Sequence, residues 1–188
     1  MAIDLGAYSG LSSIMMKDRV GAHGVVLAVD PDPKNIDCMA HNFSMYTKLT
    51  GLKIEQTECA VWNHAKGLVF SSEGNMGSSA VEVVGNGRGN NIVVPSITLS
   101  ELVEKFSLPR VDFIKCDIEG AENVIFEDAK FFVLHRPKII IEPHHVNGVL
   151  TTEKFVSDLQ VHGYTFRQVT DIGMGGHLIE CMPTAKYF

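Results

Sequence analysis

The 188 residues suffice for one domain with a buried core, and 45% of them are hydrophobic, an ordinary share for a globular chain. With 16 Lys and Arg against 22 Asp and Glu, the formal net charge is -6, so no overall field favours polyanions and nucleic acid is not an expected partner. No apolar stretch approaches the roughly 20 residues that span a bilayer, and no basic segment with an apolar run opens the chain, so a cytoplasmic protein without a membrane partner is expected.

The first strand, residues 2–5, starts almost at Met1, so either residues that normally precede it are missing or this is a minimal form. It runs into Asp4-Leu5-Gly6-Ala7-Tyr8-Ser9-Gly10, an acid followed by a glycine-bounded turn, and then into a helix over 11–19. A strand over 25–30 ends in Val29-Asp30-Pro31-Asp32-Pro33, and Pro33 suits the first turn of a helix over 33–49. A third strand covers 54–60. Residues 67–97 break the βα rhythm with short β-type runs at 68–70, 81–84 and 92–94 between Ser/Gly/Asn-rich turns, and read as a β-hairpin insertion. A strand over 111–116 meets Asp117, Glu119 and Glu122 around Gly120, and a helix over 121–134 follows. The strand over 138–142 leads into Glu142-Pro143-His144-His145, a last helix spans 152–162, and strands over 164–169 and 177–182 flank Gly173-Met174-Gly175-Gly176. Strands alternating with helices predict a doubly wound α/β sheet, mostly parallel, in a single domain over 1–188. Cys38, Cys59, Cys116 and Cys181 form no C-x-x-C pair and read as reduced thiols, several in the core.

In an open parallel sheet the ligand lies beyond the carboxyl ends of the strands, which is where these acids fall. A dinucleotide turn needs G-x-G-x-x-G, whose second glycine lets a diphosphate approach the backbone; here the pattern is G-x-x-x-G with Tyr8 in that place. A phosphate-free ligand is favoured, and S-adenosylmethionine is one. It asks for a carboxylate near its amino or sulfonium group, a role that fits Asp4, and an acid for its ribose, which fits Asp30.

DLGAYSG, LAVDPDP, ITLSEL, VDFIKCDIEGAE and RPKIIIEPH, in this order, resemble the successive motifs of FkbM-type S-adenosylmethionine-dependent methyltransferases. The resemblance covers nearly the whole chain. It implies a seven-stranded Rossmann-like methyltransferase sheet of order 3-2-1-4-5-7-6 with strand 7 antiparallel, the insertion falling between strands 3 and 4. It also implies O-methylation of a hydroxyl on a small molecule or glycan, with cofactor contacts from Gly6, Ala7, Tyr8, Ser9, Gly10, Asp30, Pro31, Ala60 and Val61. Asp30 is one methylene shorter than the Glu common there in the family.

An alcohol acceptor must lose its proton, and a positioned base adds typically about 10²–10⁴-fold. Asp117 is read as the cofactor-facing acid, Glu119 as the acceptor-positioning or proton-accepting group, and His144 as a candidate base or acceptor-binding group. The competing readings are helix caps for the two acids and a hydrogen-bonded loop histidine for His144. Glu122 is read as a cap or solvated residue, Lys115 as a partner for Asp117, and Met15, Met16, Met39 and Met45 as core filler. No metal is expected, since displacement at a sulfonium needs none, although His144 with Glu142 and Asp117 resembles an N/O ligand set. Two other functions stay open: a non-catalytic S-adenosylmethionine-binding partner subunit, and a nicotinamide-dependent oxidoreductase, which Tyr8 disfavours.

Overall fold

The computed structural model describes residues 1–73, 78–85, 89–170 and 177–185. Two βα units open the chain: β1 (Ala2–Leu5), α1 (Leu11–Val20), β2 (Val26–Asp30), α2 (Pro33–Thr50), with β3 (Glu55–Glu58) after them. A β-rich segment follows, made of β4 (Ala60–Val61), β5 (Leu68–Ser72), β6 (Ser79–Ala80), α3 (Val81–Val84), β7 (Asn90–Val94) and β8 (Ser96–Ile97). The chain returns through α4 (Leu99–Lys105), β9 (Phe113–Cys116), α5 (Glu122–Ile125), α6 (Ala129–Leu134) and β10 (Lys138–Ile141). It closes with β11 (His145–Val146), β12 (Val149–Leu150), α7 (Thr152–Gln160), β13 (Tyr164–Thr170) and β14 (His177–Pro183).

The main sheet has seven strands in the order β13-β14-β10-β9-β1-β2-β3. Six of them run in one direction, and β14 alone runs the other way, pairing antiparallel with both β10 and β13. Every residue of β1 and β2 is buried, as expected of parallel strands covered on both faces. Alternation sends Ile3, Leu5, Leu27 and Val29 into the larger core with Leu102, Phe126, Phe132 and Phe155, and Ala28 into a smaller one with Met39 and Phe43. The residues of β1 that alternate with Ile3 and Leu5, Asp4 among them, face the side covered by α1.

Local chemistry fixes the helix ends. Asp32 caps α2 by accepting from the Lys34 N–H at 3.0 Å, and Gly51 closes it in the left-handed conformation. Thr98 and Glu101 form a reciprocal capping box on α4, a helix the sequence reading did not assign although Thr-x-x-Glu was there to read.

Several expectations are corrected. Residues 81–84 form a helical turn instead of a strand, and the helix expected over 121–134 is two, because Asp128 caps a fresh start at α6. The strand expected over 54–60 is split at Cys59 into β3 and β4. Of the four methionines, Met39 is fully buried, whereas Met15 and Met45 are exposed and Met16 is half-buried. The turn at 173–176 and residues 86–88 lie outside the described residues. Cys59, Cys116 and Cys181 are buried free thiols and Cys38 is exposed. No helix among the described residues is long and apolar enough to cross a membrane.

Candidate functional site

The ends of β1, β2 and β9 are level, with Leu5 opposite both Val29 and Cys116, so the loops leaving them share one rim. A crevice opens there, lined by the ends of β1 and β2, by the loop leaving β9 and by Ala60, Val61, Trp62 and Phe70 of the β-rich segment. Gly6 stands at its floor with φ 73°, and a Cβ there would lie 1.7 Å from the Asp117 carbonyl oxygen, so only glycine lets the two loops touch. Four of the five N–H groups from Gly6 to Gly10 are already paired. Gly6 and Ala7 donate to the Val29 carbonyl at 3.0 and 3.1 Å, Tyr8 to Asp30 Oδ2 at 2.9 Å, and Gly10 to the Ala7 carbonyl at 2.7 Å. A loop that spends its amides internally offers little to a diphosphate.

Asp30 lies on the crevice wall at the end of β2, buried, with its carboxylate also accepting from the Asp32 N–H at 2.9 Å and Asn35 Nδ2 at 3.1 Å. Burial raises its pKa, against the lowering effect of those hydrogen bonds. Asp4 is placed differently from expectation. It is fully buried, faces α1, accepts from Ser12 and Ser13 hydroxyls at 2.6 Å each, and lies 3.5 Å from Lys115 Nζ. The alternation of β1 turns it behind the loop, where it ties the helix start to the sheet and does not line the crevice. Lys115 also pairs with Asp117 at 3.2 Å and donates to the Gly6 carbonyl at 2.8 Å, so one ammonium holds the two loops together.

At the other end of the crevice Asp117 and Glu119 share the wall. Neither caps a helix, because α5 begins only at Glu122, with Ala121 as its cap. Glu119 has φ 51° and Gly120 φ 99°, and Gly120 is pinned under Val83 and Val146, which leave no room for a Cβ. His144, from the loop after β10, brings Nε2 to 3.6 Å from both Asp117 Oδ1 and Glu119 Oε1, and its Nδ1 donates to Glu122 Oε1 at 3.1 Å. Glu122 is thus not solvated: it is fully buried and also accepts from the Ile118 N–H at 3.2 Å. Burial pushes Glu119 up to about 7, with His144 opposing and the neighbouring carboxylates adding to the rise. Burial works against the charged form of His144, but Glu122 above all, with Glu119 and Asp117, outweighs it and raises the ring to about 9. These carboxylates favour the protonated ring, which weighs against His144 as a base and leaves its reading as an acceptor-binding group.

Of the residues expected to hold a cofactor, Gly6, Tyr8, Asp30, Pro31, Ala60, Val61 and Asp117 line the crevice, and Asp4, Ala7, Ser9 and Gly10 do not. Ala7 is buried beside Met39 and Phe43, and Gly10 presses on the Phe43 ring, so both serve packing. The sequence reading missed Asn35, Phe70, Ala80 and Ile118, which also line it. Trp62 is both core and wall. Ser78 lines the wall, and with Ser72 it donates to Asp32 Oδ2, at 2.8 and 3.0 Å, fastening the β-rich segment to the cap of α2.

A profile of the Methyltransferase FkbM domain matches residues 4–168. The chain belongs to this family. No curated protein matches the sequence of this FkbM domain. Among solved structures it is similar to Methyltransferase FkbM from Methylobacillus flagellatus KT, with TM-score 0.62, 18% identity, and coverage of 95% of this chain and 42% of that one. It is also similar to precorrin-6y C5,15-methyltransferase from Geobacter metallireducens GS-15, with TM-score 0.58, 14% identity and coverage of 97% and 78%. A third is Aeropyrum pernix fibrillarin with natively bound S-adenosyl-L-methionine, with TM-score 0.57, 12% identity and coverage of 96% and 65%. The FkbM domain therefore has a methyltransferase-like α/β fold around a mainly parallel sheet, and it spans less than half the length of the Methylobacillus chain.

Proposed function

We propose that this FkbM domain is an S-adenosylmethionine-dependent methyltransferase, with its crevice taking the cofactor and an acceptor hydroxyl of a small molecule or sugar receiving the methyl group. In this reading the strand order 3-2-1-4-5-7-6 and the segment over 67–97 frame a site contained in one domain. The observation that carries it is Asp30, a buried carboxylate on the crevice wall beside a loop whose amides are already spent. That combination suits a ribose and disfavours a diphosphate. Ala60, Val61, Trp62 and Phe70 supply an apolar wall for adenine next to it, and the crevice remains open beside Tyr8.

When bound, S-adenosylmethionine would supply an electrophilic methyl group on a sulfonium. The protein's work is then alignment, which contributes roughly 7–11 kcal/mol in well-oriented systems. Asp117 faces the cofactor, and Glu119 receives the hydrogen bond and then the proton of the acceptor hydroxyl. His144, held by Glu122, brings its Nε2 within 3.6 Å of Glu119 and Asp117, where its charge steadies both carboxylates. Three buried thiols left free fit a reducing compartment, the cytoplasm.

The test pairs calorimetry with labelled-methyl transfer. S-adenosylhomocysteine should bind more tightly than NADH, and transfer to a panel of hydroxyl acceptors should slow about 10²–10⁴-fold in Glu119→Gln with S-adenosylhomocysteine affinity kept. Preference for NADH points to an oxidoreductase. Binding without transfer to any acceptor points to a partner subunit.

A further inference from the structure

We propose that Asp117, Glu119 and His144 form a divalent-cation site at the acceptor end of the crevice, with Glu122 as the carboxylate that orients the histidine. One donor atom from each of the three lies within 4.8 Å of the others, and His144 Nε2 is 3.6 Å from an oxygen of each carboxylate. Metal bonds of about 2.0–2.2 Å set adjacent donors about 3 Å apart in an octahedron and about 3.4 Å in a tetrahedron. His144 Nε2 therefore needs to close by only a few tenths of an ångström on each carboxylate oxygen, and the two carboxylate oxygens stand within 4.8 Å of each other.

Glu122 gives an independent reason. A ligating histidine almost always donates its other ring N–H to a carboxylate or carbonyl, which fixes the tautomer and aims the free nitrogen. Glu122 Oε1 takes the Nδ1–H of His144 at 3.1 Å, so Nε2 is the nitrogen aimed at Asp117 and Glu119. Glu122 is fully buried, and its Oε2 has no hydrogen-bond partner among the described residues. A buried carboxylate behind a histidine, left with an unsatisfied oxygen, is costly for folding alone. Behind a metal ligand it adds negative charge where a cation lies.

The donor set limits the ion. Two carboxylates and one imidazole, with no thiolate ligand, suit Mn²⁺ or Mg²⁺ better than the sulfur-rich sites of structural zinc. Three protein donors leave coordination positions open on the crevice side, where Asp117 and Glu119 form the wall. Acceptors with two neighbouring oxygens, such as vicinal diols or hydroxy acids, would fill two of those positions. A metal-bound hydroxyl gives up its proton more readily, and its oxygen is held in one place. The ion and the ring proton compete for His144 Nε2, so it binds the neutral imidazole.

This inference deepens the proposed function at the same site, but cation binding is read without methyl transfer, so either can fail without the other. The protein is stripped with a chelator, desalted and titrated with MnCl₂, following free Mn²⁺ by electron paramagnetic resonance and heat by calorimetry. One Mn²⁺ per chain is expected, with affinity at least tenfold weaker in Glu119→Gln and in Asp117→Asn, and about 10–100-fold weaker in Glu122→Gln. Circular dichroism of each variant confirms its fold, and Lys130→Ala, on the surface, should bind as the parent does. No binding at millimolar Mn²⁺, or equal affinity in parent, Asp117→Asn and Glu119→Gln proteins, overturns the site.

Discussion

Asp30 shows how one side chain can hold the fold together and line the crevice at once. Its carboxylate holds the Tyr8 and Asp32 amides and the Asn35 side chain, yet it also faces the crevice. A charge-assisted hydrogen bond is worth about 1.5–3 kcal/mol, so Asp30→Ala should weaken S-adenosylhomocysteine binding about 10- to 100-fold by calorimetry. The pH dependence has a definite sign. If ribose hydroxyls donate to this carboxylate, they need it ionised, and burial raises the Asp30 pKa, so affinity should fall as pH drops through a value above the ordinary 3.8. Asp30→Ala should lose that acid limb, and an unchanged profile would remove Asp30 from the ribose contact. Asp30 and Asp117 were legible as strand-end acids because the ends of parallel strands are where ligands gather. Asp4 has the same sequence signature but the other facing, and only the pleat, with Ser12 and Ser13 beneath it, separates the two cases. The Glu122–His144 contact had no local signal, since it joins residues 22 apart in sequence across two strand-end loops.

Among the elements, long periodic helices and apolar strands were readable, whereas short elements answer to tertiary contacts. Residues 81–84 carry three valines and read as a strand, yet Val83 packs over Gly120 and the segment turns helical. The break between α5 and α6 comes from Asp128, which accepts from the Phe131 N–H at 3.2 Å and from both the N–H and the hydroxyl of Ser100 at 2.7 Å. Propensity cannot see a partner 28 residues away. The hairpin of β11 and β12 had a local signal that went unread, Asn147-Gly148, with φ values of 51° and 80°. The capping box on α4 is also local, and its energetics can be tested. Thr98 accepts from the Glu101 N–H at 3.2 Å, and Glu101 accepts from the Thr98 N–H at 2.9 Å. Because α4 carries Leu99, Leu102 and Val103 into the main core, Thr98→Ala should cost about 1 kcal/mol and lower the melting temperature by about 2–4 °C. A melting temperature equal to the parent's would mean that α4 is held by packing alone.

At the scale of the whole molecule, the aromatic part of the core lies away from the site, although Leu5 and Val29 belong to both the core and the crevice wall. Phe126, Phe131, Phe132 and Phe155 are buried under one face, with the Phe132 ring 5.0 Å from Phe131 and 5.8 Å from Phe126, and none of them lines the crevice. Removing a buried phenylalanine ring costs about 3–5 kcal/mol, so Phe132→Ala should unfold at clearly lower urea than the parent. A ligand that binds only the folded state adds RT ln(1 + [L]/Kd), about 2.7 kcal/mol at 100 times Kd, whatever the starting stability. If the core and the strand-end rim are energetically independent, S-adenosylhomocysteine at that excess should stabilise parent and Phe132→Ala proteins equally, read as the same increase in unfolding free energy. A smaller increase in the variant would show that ring packing reaches the rim, and the continuous core of Phe132 with Leu5 and Val29 gives the route it would take.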